Sequence, residues 1–138
     1  MVGFDVRNIS LGDYNDLLKL NLSLDYSSIK SIENDKNSMI FVAQLNDDII
    51  GYINYSIGYD INYNKTLFIK DIVVDEKYRG LGVGHQLILE AEKNAKGYNA
   101  VQLVALNNNY IEEEVEFYNR QGFKLNSESM YEKKYYIQ

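Results

Sequence analysis

The sequence predicts a mixed α/β domain, and three observations support that. Apolar runs of period two alternate with amphipathic runs of helical period, in the order β-α-α-β-β-β-α-β-α-β-β. The length of 138 residues suits one domain on a prior of roughly 100–200 residues each. A composition of 46% hydrophobic and 25% charged residues is that of an ordinary globular chain. A chain near this length buries about 68–70% of its unfolded surface, enough for a core without disulfides or a structural metal. No repeat or low-complexity linker divides it, so residues 1–138 are read as a single domain.

The elements follow in order. Asp5–Ile9 is a short strand, and Ser10-Leu11-Gly12-Asp13 leads into a helix with Leu17, Leu18 and Leu20 inward. A second helical piece runs through Ile29 and Ile32. Met39–Gln44 is a strand, and Asn46-Asp47-Asp48 turns the chain. Ile49–Tyr59 is a long strand in which Ile50, Tyr52, Asn54 and Ser56 alternate with Gly51, Ile53, Tyr55 and Ile57. Tyr59–Asn64 is a polar loop, and Leu67–Val74 has the most buried character of the strands. A Gly-rich turn, Arg79–Gly84, opens a helix to about Lys96 whose apolar stripe is Val83, Leu87, Ile88, Ala91 and Ala95. Gly97 suits its C-cap. Ala100–Leu106 is a strand, and Tyr110–Gln121 a helix with Ile111, Val115 and Tyr118 on one face. Acidic Glu112-Glu113-Glu114 suits its positive N-terminal end, and Gly122 ends it. Phe123–Leu125 and Met130–Ile137 close the chain as strands.

Composition excludes several functions. Fourteen basic against twenty acidic residues leave a net charge of -6, which opposes a phosphate-neutralising nucleic-acid surface and mildly suits a cationic small partner. With no Cys, disulfide scaffolds, Cys-ligated metals and thiol catalysis are excluded. A single His argues against a His-rich metal site or a Ser–His–Asp triad, and no metal is expected. The first residues lack a basic run followed by an apolar stretch of about 7–15 residues. No window approaches the roughly 18–20 apolar residues of a membrane span. A cytoplasmic protein acting on neither membrane nor nucleic acid is the expectation.

The chemistry concentrates at one joint, Ile72-Val73-Val74-Asp75-Glu76-Lys77-Tyr78-Arg79-Gly80-Leu81-Gly82-Val83-Gly84. A strand, a polar turn and three alternate glycines precede a helix. The first N–H groups of a helix lack intrahelical partners and carry positive partial charge. Glycines let backbone approach an anion, and Arg79 adds a fixed cation, so the joint suits a phosphate or diphosphate. A P-loop would need Lys and Ser/Thr after the spaced glycines, and the dinucleotide fingerprint would need Gly where His85 stands. Both fail. The bland alternative is that the glycines only permit tight strand–helix packing.

Arg79-Gly80-Leu81-Gly82-Val83-Gly84 resembles the R/Q-x-x-G-x-G/A loop of the GNAT superfamily of N-acetyltransferases, directly after an apolar strand as in that family. Glu116-Phe117-Tyr118-Asn119-Arg120-Gln121-Gly122-Phe123 resembles its Phe-Tyr-x-x-x-Gly-Phe segment, and Met130-Tyr131-Glu132-Lys133 its Met-x-x-Lys ending. The resemblance spans about Val6 to Lys134 and is most specific from Ile72 to Phe123. It implies a central, mostly antiparallel sheet flanked by helices, with two parallel strands, Leu67–Val74 and Ala100–Leu106, splayed around acetyl-CoA. The implied activity is direct acetyl transfer to a primary amine of a small molecule or protein, and a homodimer is common in similar proteins.

The resemblance also implies roles. Ile72, Val73 and Val74 would bind the cosubstrate, with backbone groups of Ile72 and Val74 pairing with pantetheine and polarising the acetyl carbonyl. Backbone N–H groups of Arg79, Gly80, Leu81, Gly82, Val83 and Gly84 would hold the diphosphate. His85 either touches a phosphate or lies on the helix surface. Tyr118 falls on the family tyrosine that protonates the leaving thiolate; a phenol with a pKa of about 10 suits the task. Its other reading is a core tyrosine packed with Ile111 and Val115. Asp71, expected on the opposite face from Ile72, is the candidate for orienting or deprotonating the amine; capping or ion pairing is its other reading, and Lys70 beside it opposes a cationic acceptor. Tyr52, Tyr55, Tyr59 and Tyr63 either line an acceptor pocket or pack. The loop Tyr59–Asn64 and the first two helices are expected to shape that pocket. The family often places Asn seven residues before the tyrosine; here that position is Ile111, with Asn107, Asn108 and Asn109 nearby. Competing readings are a non-catalytic acyl-CoA-binding sensor on the same fold and an enzyme using the loop for another nucleotide.

Overall fold

A chain of antiparallel hairpins builds most of the sheet. The computed structural model describes residues 3–20, 26–106, 112–125 and 130–134, with backbone alone at Leu11, Tyr26, Ser28, Leu106, Glu112 and Glu113. Strands β1 (Asp5–Asn8), β2 (Ser38–Leu45), β3 (Asp48–Tyr59), β4 (Lys65–Val74), β5 (Gln102–Leu106), β6 (Lys124–Leu125) and β7 (Met130–Lys134) form one sheet. Its order is β1-β2-β3-β4-β5-β7-β6, and β4–β5 is its parallel pair. The helices are α1 (Tyr14–Leu20), α2 (Tyr26–Asn34), α3 (Val83–Gly97) and α4 (Glu112–Arg120). The expected class, mostly antiparallel with one parallel pair and flanking helices, is therefore the observed one.

Two apolar layers sandwich the sheet. On one face Leu87, Ile88, Ala91 and Ala95 of α3 meet Ile53, Leu67 and Leu103, joined by Tyr118, Phe123 and Tyr131. On the other, Tyr14 and Leu17 of α1 and Ile29 of α2 meet Ile40, Val42 and Tyr52. The Tyr14 hydroxyl donates to Glu33 and ties α1 to α2. Being covered on both faces makes β3, not β4, the most buried strand: every residue from Ile49 to Tyr55 is buried, whereas Lys70–Val74 are exposed or half-buried. Apolar content alone marked Leu67–Val74 as innermost; pairing decides otherwise. Gly51 of β3 lets α3 press close, since a Cβ there would lie 3.0 Å from the Val73 carbonyl oxygen and 3.3 Å from Val83 Cγ1.

The turns bear out the sequence with one correction. Asn46, at φ 55°, and Asp47 close the β2–β3 hairpin, and Asp48 already pairs with Leu45. Gly97 is the last residue of α3 rather than its reversing cap. The left-handed position falls to Asn99, at φ 64°, which a short amide side chain tolerates. Met130–Ile137 is described as strand through Lys134; Tyr110 and Ile111 lie outside the described residues. No described helix is long and apolar enough to cross a membrane.

A buried carboxylate fastens β1 to the start of α1. Arg7 donates through Nη1 and Nη2 to the two oxygens of Asp13, each at 2.8 Å, and through Nε to Gln44 Oε1 at 2.8 Å. Asp13 also accepts from the Ser10 backbone N–H at 2.8 Å. Hydrogen bonding from Arg7 holds the Asp13 carboxyl below the usual carboxylate range. The folded pKa is therefore below the unfolded value of about 3.9, so this stabilisation is present at neutral pH and fades as pH falls through the folded pKa. Asp13→Asn is expected to cost about 1–2 kcal/mol at neutral pH, discounted for the partly exposed Arg7, and to flatten the acid limb. Chemical denaturation from about pH 3 to 7 measures it; an unchanged acid limb would show the pair contributes nothing.

Candidate functional site

The site begins where two strands stop pairing. β5 runs beside β4 only from Thr66 opposite Gln102 to Ile69 opposite Ala105. On the other side of β4, Asn54 faces Asp71 and Tyr55 faces Ile69, which leaves Lys70 as a bulge. A bulge bends and twists its strand, and here it carries Asp71–Val74 away from β5. The divergence opens a cleft of about 750 Å³ between Ile69–Val74, the loop before α3 and the inner face of α4.

The loop is organised from β4 onward. Asp75 caps a 3-10 turn at Glu76–Tyr78 by accepting from the Lys77 N–H at 3.0 Å. Arg79 Nε donates back to the Val74 carbonyl at 3.2 Å. Gly80 and Gly82 have φ of 82° and 85°, which an L side chain adopts only with strain. Gly82 is the N-cap of α3 and offers no side-chain cap. The Gln86 N–H reaches the Gly82 carbonyl at 3.0 Å, so the N–H groups of Val83, Gly84 and His85 precede the helical ladder. Gly84 serves a different purpose. A Cβ there would meet the Phe117 ring at 2.9 Å, so its smallness lets α3 and α4 touch. The packing explanation for the glycines thus holds for Gly84, and the backbone explanation for Gly80 and Gly82.

Nearly all the sequence-predicted residues line this one cleft. Asp71, Ile72, Val73 and Val74 form one wall; Arg79, Gly80, Gly82, Val83, Gly84 and His85 form the floor; Tyr118 stands on α4. Leu81 is the exception: its side chain is exposed and outside the lining. His85 Nδ1 lies 2.5 Å from Gln121 Oε1 and ties the start of α3 to the end of α4.

Tyr118 lies both in the core and on the cleft. It is buried in the main core, with its ring stacked on Tyr131 at 4.3 Å and edge-on to Phe117 and Phe123, and it also faces the cleft. Its phenol is not unperturbed: burial first, then Glu114, Tyr131 and Asp71, raise its pKa well above that of a free tyrosine. It therefore stays a hydrogen-bond donor throughout the physiological range and is a weaker acid than the sequence suggested. Asp71 accepts from the Tyr52 hydroxyl at 2.6 Å. Register places Asp71 and Val73 beside Tyr52 on the α1–α2 face, and Ile72 and Val74 on the α3 face, as expected.

Other expectations change. The loop Tyr59–Asn64 lies at the start of β4, the end opposite the cleft, because β3 and β4 form a hairpin; none of its residues lines the site. Asp60 holds that loop by accepting from the N–H groups of Asn62 and Asn64. Tyr55 is core, its hydroxyl donating to Met39 Sδ and accepting from Asn94. Asn107, Asn108, Asn109 and Ile111 lie outside the described residues. Sequence reasoning gave no role to Phe117, Glu114 or Arg120, which line the cleft; for Glu114 the signal was its spacing of four residues from Tyr118 on one helix.

A model of the acetyltransferase (GNAT) family matches residues 5–123 of the chain. No curated protein matches it. Among solved structures, PaiA N-acetyltransferase from Thermoplasma acidophilum, in complex with coenzyme A, is 18% identical with a TM-score of 0.77, over 96% of this chain and 99% of that one. A GNAT-family acetyltransferase from Staphylococcus aureus Mu50 is 18% identical with a TM-score of 0.76, over 96% and 99%. A transcriptional regulator from Bacillus halodurans is 21% identical with a TM-score of 0.80, over 99% of both chains. At such identities the likeness to these structures is one of fold.

Because Gly84 abuts Phe117, Gly84→Ala must displace an aromatic ring. The expected cost is about 1–3 kcal/mol, read from the denaturation midpoint. An unmoved midpoint would mean that Phe117 swings aside freely.

Proposed function

The chain belongs to the GNAT acetyltransferase family, and on that premise we propose that it is a single-domain enzyme moving an acetyl group from acetyl-CoA to a primary amine by direct attack. The observation that carries this reading is the cleft at the β4–β5 divergence, with an uncapped helix start at one end and Tyr118 and Asp71 on its walls. The coenzyme A bound by the Thermoplasma relative supports the same cosubstrate here.

The residues divide the work. The loop from Arg79 to Gly84 and the first turn of α3 would hold the diphosphate, through N–H groups outside the helical ladder and the positive end of the helix. The open edge of β4 at Ile72–Val74, which β5 leaves unpaired, would take the pantetheine arm as a strand takes a neighbour. A main-chain N–H on that edge would stabilise the oxygen that becomes negative during attack, a contribution of about 3 kcal/mol for one such donor. Tyr118, kept protonated by burial, would donate to the departing sulfur. Asp71, held by Tyr52, would orient the amine and take its proton. Holding both reactants in one cleft replaces a collision with an internal step. The amine belongs to a small molecule or a protein.

A sensor that binds acyl-CoA without turnover is the second reading, favoured by the engagement of Asp71 with Tyr52. Two measurements decide. Isothermal titration is expected to show acetyl-CoA binding, and its absence at high micromolar concentration ends both readings. Thiol release with an amine panel is expected for the enzyme; binding without release leaves the sensor. Tyr118→Phe is expected to lower kcat by about 10²-fold, the usual scale for a positioned acid, while sparing acetyl-CoA affinity. Unchanged turnover would remove Tyr118 from that role.

A further inference from the structure

Asn54 occupies a place where the fold does not need a polar residue. It lies mid-strand in β3 between Ile53 and Tyr55, both fully buried, and is itself 7% exposed. Among the described residues its Oδ1 is buried with no hydrogen-bond partner. Buried polar atoms are nearly always paired, and an unpaired one costs its full desolvation. A β-branched apolar residue would fill a central strand without that cost.

Strand register decides where the side chain faces. Asn54 pairs directly with Asp71 across β3–β4. Direct partners in an antiparallel pair share a face, with Cβ atoms about 4.5–5.5 Å apart. Tyr52 is two residues along on that same face, and its hydroxyl donates to Asp71 Oδ2 at 2.6 Å. Asp71 lines the cleft at the point where β4 leaves β5. An anchored carboxylate and an amide oxygen lacking a donor therefore sit side by side at the bulge, on the face opposite α3.

We propose that Asn54 is an acceptor-binding residue, its Oδ1 receiving one N–H of the attacking amine while Asp71 receives another. This rests on the acetyl-transfer reading of the cleft. A primary ammonium carries three N–H bonds. Asp71 takes one proton, Asn54 holds one of the two remaining N–H groups, and the freed lone pair forms the N–C bond as the C–S bond breaks. Tyr118 gives its proton to the departing sulfur, the nitrogen loses its second proton to solvent, Tyr118 regains one from solvent, and the proton on Asp71 is the one released overall. An alcohol has only one O–H; once Asp71 has taken it, nothing remains for Asn54. The pair therefore selects nitrogen over oxygen acceptors.

The test compares wild type with Asn54→Val and Asn54→Asp, using spermidine, sisomicin and lysine methyl ester as acceptors and following thiol release. Asn54→Val removes the orphan oxygen from a strand that favours valine, so its thermal midpoint is expected to hold or rise. Its KM for whichever amine the wild type uses is expected to rise by about tenfold or more, the loss of one hydrogen bond from a cationic donor. The acetyl-CoA Kd is expected to stay unchanged. Asn54→Asp keeps an oxygen in place and is expected to hold the amine KM near wild type; should valine not fold, Asn54→Ala reports the same rise. A wild-type amine KM in the valine or alanine variant overturns the inference alone, as does a weakened acetyl-CoA Kd with the amine KM intact. A wild-type protein that binds no acetyl-CoA, or acetylates none of the three amines, overturns the underlying reading and the inference with it.

Discussion

The site depends on the end of a hydrogen-bond ladder. Among the described residues, β4 and β5 no longer pair after Ile69 and Ala105. An extra residue, Lys70, forces β4 to bend at that point. Parallel strands that stayed in register would bury their polar backbone against each other and leave no opening. Because they part, a stretch of main chain at Ile72–Val74 has an unfilled edge inside a largely apolar fold. Everything else is arranged around that edge: a helix start at one end, an aromatic residue of α4 across from it, and an anchored carboxylate behind it.

Several residues answer to packing and to the cleft together. Tyr118 is stacked in the core on Tyr131 and faces the opening. Gly84 lies on the cleft floor and is also where α3 meets Phe117. The same side chains thus form both the core and the cleft wall on the α4 side. The Tyr118 ring packs against Tyr131, Phe117 and Phe123.

Local physics made part of this legible in the sequence. The run from Ile72 to Gly84 reads as strand, turn and helix start because each step has a short-range signal, and the apolar stripe from Val83 to Ala95 is buried as its spacing demands. Pairings between distant segments were not legible. Nothing local says that Lys70 is a bulge, that β5 stops at Ala105 beside β4, or that Asn54 lies opposite Asp71. The same limit hid the separate purpose of Gly84, whose partner Phe117 is thirty-three residues away in the chain. It also misdirected the reading of the Tyr59–Asn64 loop, since the end of the sheet a hairpin occupies follows only from its topology. Asn99 took the position assigned to Gly97 because two residue types can meet the same backbone demand.

The sheet also ends in short strands. Among the described residues its two outer members are β1, with four residues, and β6, with two. An open sheet edge invites strands from neighbouring molecules, and brevity is one defence against it. The long apolar strands β3 and β4 stand inside that order, β4 parting from β5 beyond Ile69 at the cleft. The described residues of β1 and β6 thus offer few backbone groups to a strand from another molecule.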